Sequence, residues 1–155
     1  MAHTSNRART ASILAAVSLS GALAGCQRGP DVLTSIVFDG ETRSITTGNV
    51  VCTKQPNGGL VILVQDKPTH SIRVQLSQQR RLVVQKAGLR YEGMAGYVAD
   101  PREVSATKVD DTFTVSGRMP PNPGELQWHT FKIQTTCPGY LDAPPSPRQP
   151  LIVGP

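Results

Sequence analysis

The sequence predicts an all-β domain, a single antiparallel β-sandwich or partly open barrel of about eight strands, and three observations carry that expectation. From Ile36 onward apolar residues recur with a period of two rather than 3.6. The segments are short, rich in β-branched residues and separated by Gly, Asn, Asp and Pro, the residues that turn a chain. Between Ile36 and Cys137 no stretch of about ten residues has the spacing of an amphipathic helix.

Ahead of that domain the chain reads as an export signal. Arg7 and Arg9 precede an apolar run from Ala11 to Ala24 that carries Ile13, Leu14, Val17, Leu19 and Leu23 among small residues. Basic residues stay on the cytoplasmic side while the apolar run enters the export channel. At about 14 residues the run is shorter than the roughly 20 of a bilayer-spanning helix, so a permanent helical anchor is not expected. It closes on Leu23-Ala24-Gly25-Cys26, which resembles the lipobox of bacterial lipoprotein precursors. Small residues at Ala24 and Gly25 let the backbone enter a peptidase cleft, and the thiol of Cys26 supplies the nucleophile for diacylglyceryl transfer. Residues 1–25 are therefore expected to be removed as a lipoprotein signal peptide, leaving Cys26 as an acylated first residue. One acyl chain, at about 0.8 kcal/mol per buried methylene, anchors only marginally, whereas two or three palmitate-like chains hold a protein durably at the outer face of the plasma membrane.

With Cys26 acylated, Cys52 and Cys137 remain, and an even pair in an exported domain reads most simply as a disulfide. Their spacing matches neither a CxxC redox motif nor a zinc pattern, and two free buried thiols are the alternative. Closing a loop of about 86 residues would stabilise the fold by about 4 to 5 kcal/mol in the chain-entropy account.

The remaining elements follow in order. Residues 26–35 read as a short tether; Gln27 to Ser35 reaches at most about 30 Å, which keeps the domain near the membrane. The domain is expected to span 36–137. Ile36 and Phe38 share one strand face before the Asp39-Gly40 turn, and Val50 and Cys52 share the next. Asn57-Gly58 tolerates positive φ and makes a hairpin, after which Leu60 to Val64 is apolar throughout and reads as a strand covered on both faces. Ile72, Val74 and Leu76 alternate with Ser71, Arg73, Gln75 and Ser77, a strand with one wet face. Leu82 to Gln85 resumes the pattern, and Gly88, Gly93 and Gly96 weaken it toward Tyr97, where a bend or bulge is expected. Val104 to Val109 and Thr112 to Arg118 flank Asp110-Asp111 as a second hairpin. Phe131, Ile133, Thr135 and Cys137 then share the inner face of the last strand, so a Cys52–Cys137 bond would cross the core. Residues 138–155, with six prolines, read as a Pro-rich tail, disordered or polyproline-like, that cannot join a sheet.

Charge and motifs exclude more than they assign. The chain holds 16 Lys and Arg against 11 Asp and Glu, and loss of Arg7 and Arg9 leaves 14 against 11, too weak and scattered for a nucleic-acid partner. The one cluster, Arg73, Arg80, Arg81, Lys86 and Arg90, reads as a solvated strand face, with anionic lipid headgroups or wall polymers as the alternative. Ser105-Ala106-Thr107-Lys108 matches SxxK, but that chemistry needs both side chains on one helical turn, and positions three apart on a strand face opposite ways. His70 and His129 share no recurring carboxylate spacing, so neither a metal nor another cofactor is expected. No catalytic residue is assigned. Tyr91, Tyr97 and Trp128 are candidates to line a ligand groove, against the plainer role of capping a small core.

Several strand segments resemble the mycobacterial LpqH family of small lipid-anchored surface antigens. They are Ile36-Val37-Phe38-Asp39-Gly40, Val50-Val51-Cys52-Thr53, Ser105-Ala106-Thr107-Lys108, Phe113-Thr114-Val115-Ser116-Gly117, and Phe131 through Cys137, in matching order after a lipobox. Family members carry a long Thr- and Ala-rich linker, associated with O-glycosylation, where Gln27 to Ser35 offers only Thr34 and Ser35; the Pro-rich tail also lies beyond the family pattern. The resemblance implies a lipid-anchored cell-envelope protein without enzymatic activity, whose acylated terminus is the part host lipoprotein receptors recognise. The expected function is presentation of the β domain near the membrane surface. The competing expectation is a carrier that binds an apolar envelope lipid, an acyl chain or glycolipid, in a cavity between splayed sheets.

Overall fold

The computed structural model describes residues 29–78 and 80–144. The signal segment, Cys26 and the tail beyond Pro144 lie outside the described residues. Eleven strands form two sheets that do not close into a barrel, which settles the choice between sandwich and barrel in favour of the sandwich.

The first sheet joins a hairpin to a meander. Strands β1 (Val32–Phe38) and β2 (Glu41–Thr47) turn through Asp39 and Gly40, both at positive φ as a two-residue primed turn requires. Strands β8 (Val104–Val109), β9 (Thr112–Met119) and β10 (His129–Thr136) form the meander, and β10 pairs with β1 to give the order β2-β1-β10-β9-β8. The second sheet is a five-strand meander of β3 (Val50–Lys54), β4 (Gly59–Lys67), β5 (His70–Ser77), β6 (Val83–Tyr91) and β7 (Met94–Val98). The two-residue β11 (Leu141–Asp142) lies on its edge beside β3.

Alternation drives the packing. Ile36 and Phe38 in β1, Phe113 and Val115 in β9, and Phe131 and Ile133 in β10 point inward against Ile62 and Val64, Ile72, Val74 and Leu76, and Val84, Ala87 and Leu89 of the facing sheet. Each such Val, Leu, Ile or Phe side chain removed from water contributes about 1.5–3 kcal/mol, and Phe113 is wholly buried. The chain changes sheets at Gly48, where the buried Thr47 hydroxyl donates to the Gln65 carbonyl at 3.0 Å and accepts from Asn49 N–H at 3.1 Å. That pair of bonds fixes β2 to β4 across the corner.

Five expectations need correction. β1 begins at Val32, so the tether expected through Ser35 gives four of its residues to the sheet, where Thr34 is fully buried. β2 has no counterpart in the alternation of the sequence, because only Ile45 and Thr47 of its seven residues are buried. Leu60, Ile62 and Val64 are buried, but Val61 and Leu63 are only half-covered, so β4 has one true core face. β6 runs unbroken through Gly88; the bend expected in this stretch is the Glu92-Gly93 turn into β7, both residues at positive φ, and a separate irregularity falls at Gln85, where the β5–β6 register shifts. Past Cys137 the chain rejoins a sheet: Leu141 and Asp142 pair with Thr53 and Lys54 in parallel, the one parallel pairing among the described strands.

Candidate functional site

The domain enters the described structure at Gly29 and Pro30, three residues beyond Cys26, and this end carries a cleft. It holds about 630 Å3 between the β3 edge, Val50 to Cys52, and the returning segment Pro138 to Leu141, and Gly29 and Pro30 also line it. Cys52, one of its lining residues, forms a disulfide with Cys137, Cα atoms 5.9 Å apart. Both are almost fully buried, because alternation turns Cys52 inward with Val50 and Cys137 inward with Phe131, Ile133 and Thr135.

Tyr140 braces the cleft. Its hydroxyl donates to Asp111 at 2.7 Å, and the Lys54 and Lys108 ammonium groups lie 5.1 and 5.4 Å from its ring centre. Burial, with the Asp111 carboxylate beside it, pushes the phenol up to about 12, so it stays a neutral donor at neutral pH. Lys108 is thereby committed to Tyr140, Phe113 and Asp111. Ser105, its SxxK companion, instead donates weakly to the Ser116 carbonyl at 3.4 Å.

A second cluster centres on His129. Its Nδ1 lies 2.6 Å from Asp39 and its Nε2 2.6 Å from Glu125, and its ring stacks on Phe38 at 5.0 Å. Asp39 first and Glu125 second raise the imidazole pKa above its ordinary value. Burial pushes the Asp39 carboxyl up, but the bonds from His129 and the Thr130 N–H outweigh it and leave it lowered; Glu125 is lowered by His129 and then by Asn122 N–H. Both ring nitrogens are occupied, so the arrangement ties the β1–β2 turn to the β9–β10 loop and leaves no imidazole nitrogen to abstract a proton. No group of three or more His, Cys, Asp or Glu side chains among the described residues is arranged to hold a metal ion.

The three groove aromatics are not brought together. Tyr91 packs on the buried His70, ring centres 4.5 Å apart, and donates to the Ser44 carbonyl at 3.3 Å. Tyr97 stands on the outer face of the second sheet beside Arg73, Gln75, Lys86 and Gly88. Trp128 lies under the Arg118 guanidinium in the β9–β10 loop, 5.3 Å away. The sequence placed them within one segment and one loop but carried no signal for which sheet face each would take.

Fold and site together define a small two-sheet sandwich, cross-linked through its core by one disulfide and entered beside an edge strand. The chain belongs to the Mycobacterium 19 kDa lipoprotein antigen family, whose sequence model matches residues 29–137. The match ends on Cys137, so it covers both bridged cysteines and every strand except β11. A search of curated proteins found no match.

Proposed function

We propose that this chain is a non-enzymatic, lipid-anchored envelope protein, held at the outer face of the plasma membrane by acyl chains on Cys26 and presenting its sandwich close to that surface. The observation that carries the reading is the short interval between lipobox and sheet: Gly29 already borders a cleft, and Val32 is in β1. Three residues extend at most about 11 Å, so an anchor on Cys26 keeps the sandwich against the headgroups. Membership of a family of lipoprotein antigens supports the same reading, and the acylated terminus is its natural point of contact for a host lipoprotein receptor.

The filled space between the sheets supports presentation over carriage. Ile36, Leu60, Ile62, Ile72, Leu76, Phe113 and Ile133 are all almost wholly buried, so packed apolar side chains occupy the region between the two sheets, which favours presentation. Mass spectrometry of the N-terminal peptide tests the anchor. The expected result is a peptide beginning at an acylated Cys26, with the Cys26→Ser protein uncleaved and unacylated; an uncut, unmodified wild-type chain in the cytosol would refute the proposal.

A further inference from the structure

The outer face of the second sheet carries an unpaired cationic surface. Between Lys67 and Tyr91 the chain has six cations, Lys67, Arg73, Arg80, Arg81, Lys86 and Arg90, and no acid; the rest of the described chain has six cations against eleven acids. Positive charge is thus concentrated on the β5–β6 hairpin of a nearly neutral domain. Alternation and register place three of these side chains outward together. Ile72, Val74 and Leu76 face the core, so Arg73 and Gln75 face out; Ala87 and Leu89 face the core, so Lys86, Gly88 and Arg90 face out. Arg73 lies opposite Gly88, Gln75 opposite Lys86, and Gly88 opposite Tyr97.

Seven of the eleven carboxylates are bound to other partners, and none lies within ion-pair distance of Arg73, Lys86 or Arg90 among the described residues. The missing side chain at Gly88 leaves a depression of about 320 Å3 walled by Arg73, Gln75, Lys86 and Tyr97. A second cleft of about 450 Å3 shares Gln75 and Lys86 and extends it along the sheet. On the same outer face, β3 and β4 contribute Val51, Val61 and Leu63, apolar and partly exposed.

We propose that this face docks flat on an anionic phospholipid surface, with a headgroup phosphate seated between Arg73 and Lys86 over Gly88, Tyr97 at the interface, and Val51, Val61 and Leu63 against the glycerol region. The inference rests on the anchored reading above. Gly29 and Pro30 enter beside β3, and two or three strand spacings of about 4.8 Å put β5 and β6 about 10–15 Å away along the sheet. An anchor within about 11 Å of that entry brings the cationic strands to the headgroups without stretching the chain. The partly exposed Val51, Val61 and Leu63 beside the cations favour a membrane over a polysaccharide, which would leave that apolar strip uncovered.

The test uses the mature chain from residue 26 with Cys26→Ser, so no acyl chain contributes and failure here leaves the anchor untouched. Its partition is measured on vesicles of phosphatidylcholine alone and mixed with phosphatidylglycerol, at low and high salt. The expected result is binding to the anionic vesicles only, weakened by salt and lowered about 25-fold in Arg73→Gln/Lys86→Gln, about fivefold per charge. Arg43→Gln/Lys132→Gln, which removes equal charge from the other sheet, is expected to bind as wild type. Gly88→Val fills the depression with a residue suited to a strand, and its added Cβ meets only Tyr97 at 3.5 Å and the Gly96 carbonyl at 3.9 Å; it is expected to fold and bind less. Equal binding to neutral vesicles, equal loss in the control pair, undiminished binding by Gly88→Val, or binding to soluble polygalacturonate with none to vesicles would each overturn the proposal.

Discussion

The imidazole of His129 shows at single-residue scale how neighbours decide what a side chain does. A lone histidine beside Trp128 carried no signal of a partner, because Asp39 lies 90 positions away and only the β1–β10 pairing brings it near. Glu125, four residues before it, was within reach of inspection, but in a loop that spacing has no fixed meaning. The clamp makes stability depend on pH in two directions. His129 has its pKa raised by folding, so its contribution is complete below about pH 6.5 and is lost as pH rises through the raised value. Asp39 and Glu125 have theirs lowered, so their contribution is complete above the ordinary carboxylate range and is lost as pH falls through the lowered values. The melting-temperature gap between wild type and His129→Gln is therefore expected to be widest near about pH 5.5 and to shrink by about pH 9; a gap constant over that range would rule out the charged clamp.

Among the elements, the strands legible in the sequence are those whose inward positions are apolar, as in β5 and β10, while β2 and β11 escaped notice. β2 is an edge strand whose outward positions face water, and polar residues there leave no period of two to read. β11 is two residues long and is held by pairing with Thr53 and Lys54 rather than by propensity. A buried polar pair joins β1 to β10: the hydroxyls of Thr34 and Thr135 meet at 2.7 Å with almost no exposure. Thr34→Val strands the Thr135 hydroxyl and is expected to cost about 1–3 kcal/mol in denaturant unfolding, whereas Thr34→Val/Thr135→Val should return most of it. Additive losses in that cycle would show that the hydroxyls do not depend on each other.

For the whole molecule, the Cys52–Cys137 bond matters most, since it ties β3 of one sheet to the end of β10 in the other across 85 positions. Replacing both by Ala is expected to cost about 4–5 kcal/mol and to lower the melting temperature by roughly 15–30 °C. A transition unchanged from wild type, with the thiols confirmed absent, would mean that core packing alone sets stability. The same long-range closure explains why the cleft at the entry pole was invisible beforehand: its walls come from residues 29–30, 48–52 and 138–141, which only the closed sandwich brings together.

The sequence by itself determined the all-β class and the inward faces of most strands, the two cysteines included, because alternation and turn chemistry are local and parity fixes which way each side chain points; that the cysteines are bonded is seen only in the structure. Only the tertiary structure decided which strands became neighbours, that Tyr91, Tyr97 and Trp128 part company, and that Arg73, Lys86 and Tyr97 share one outer face. Those outcomes depend on sheet order and register, set by the joint packing of residues far apart along the chain.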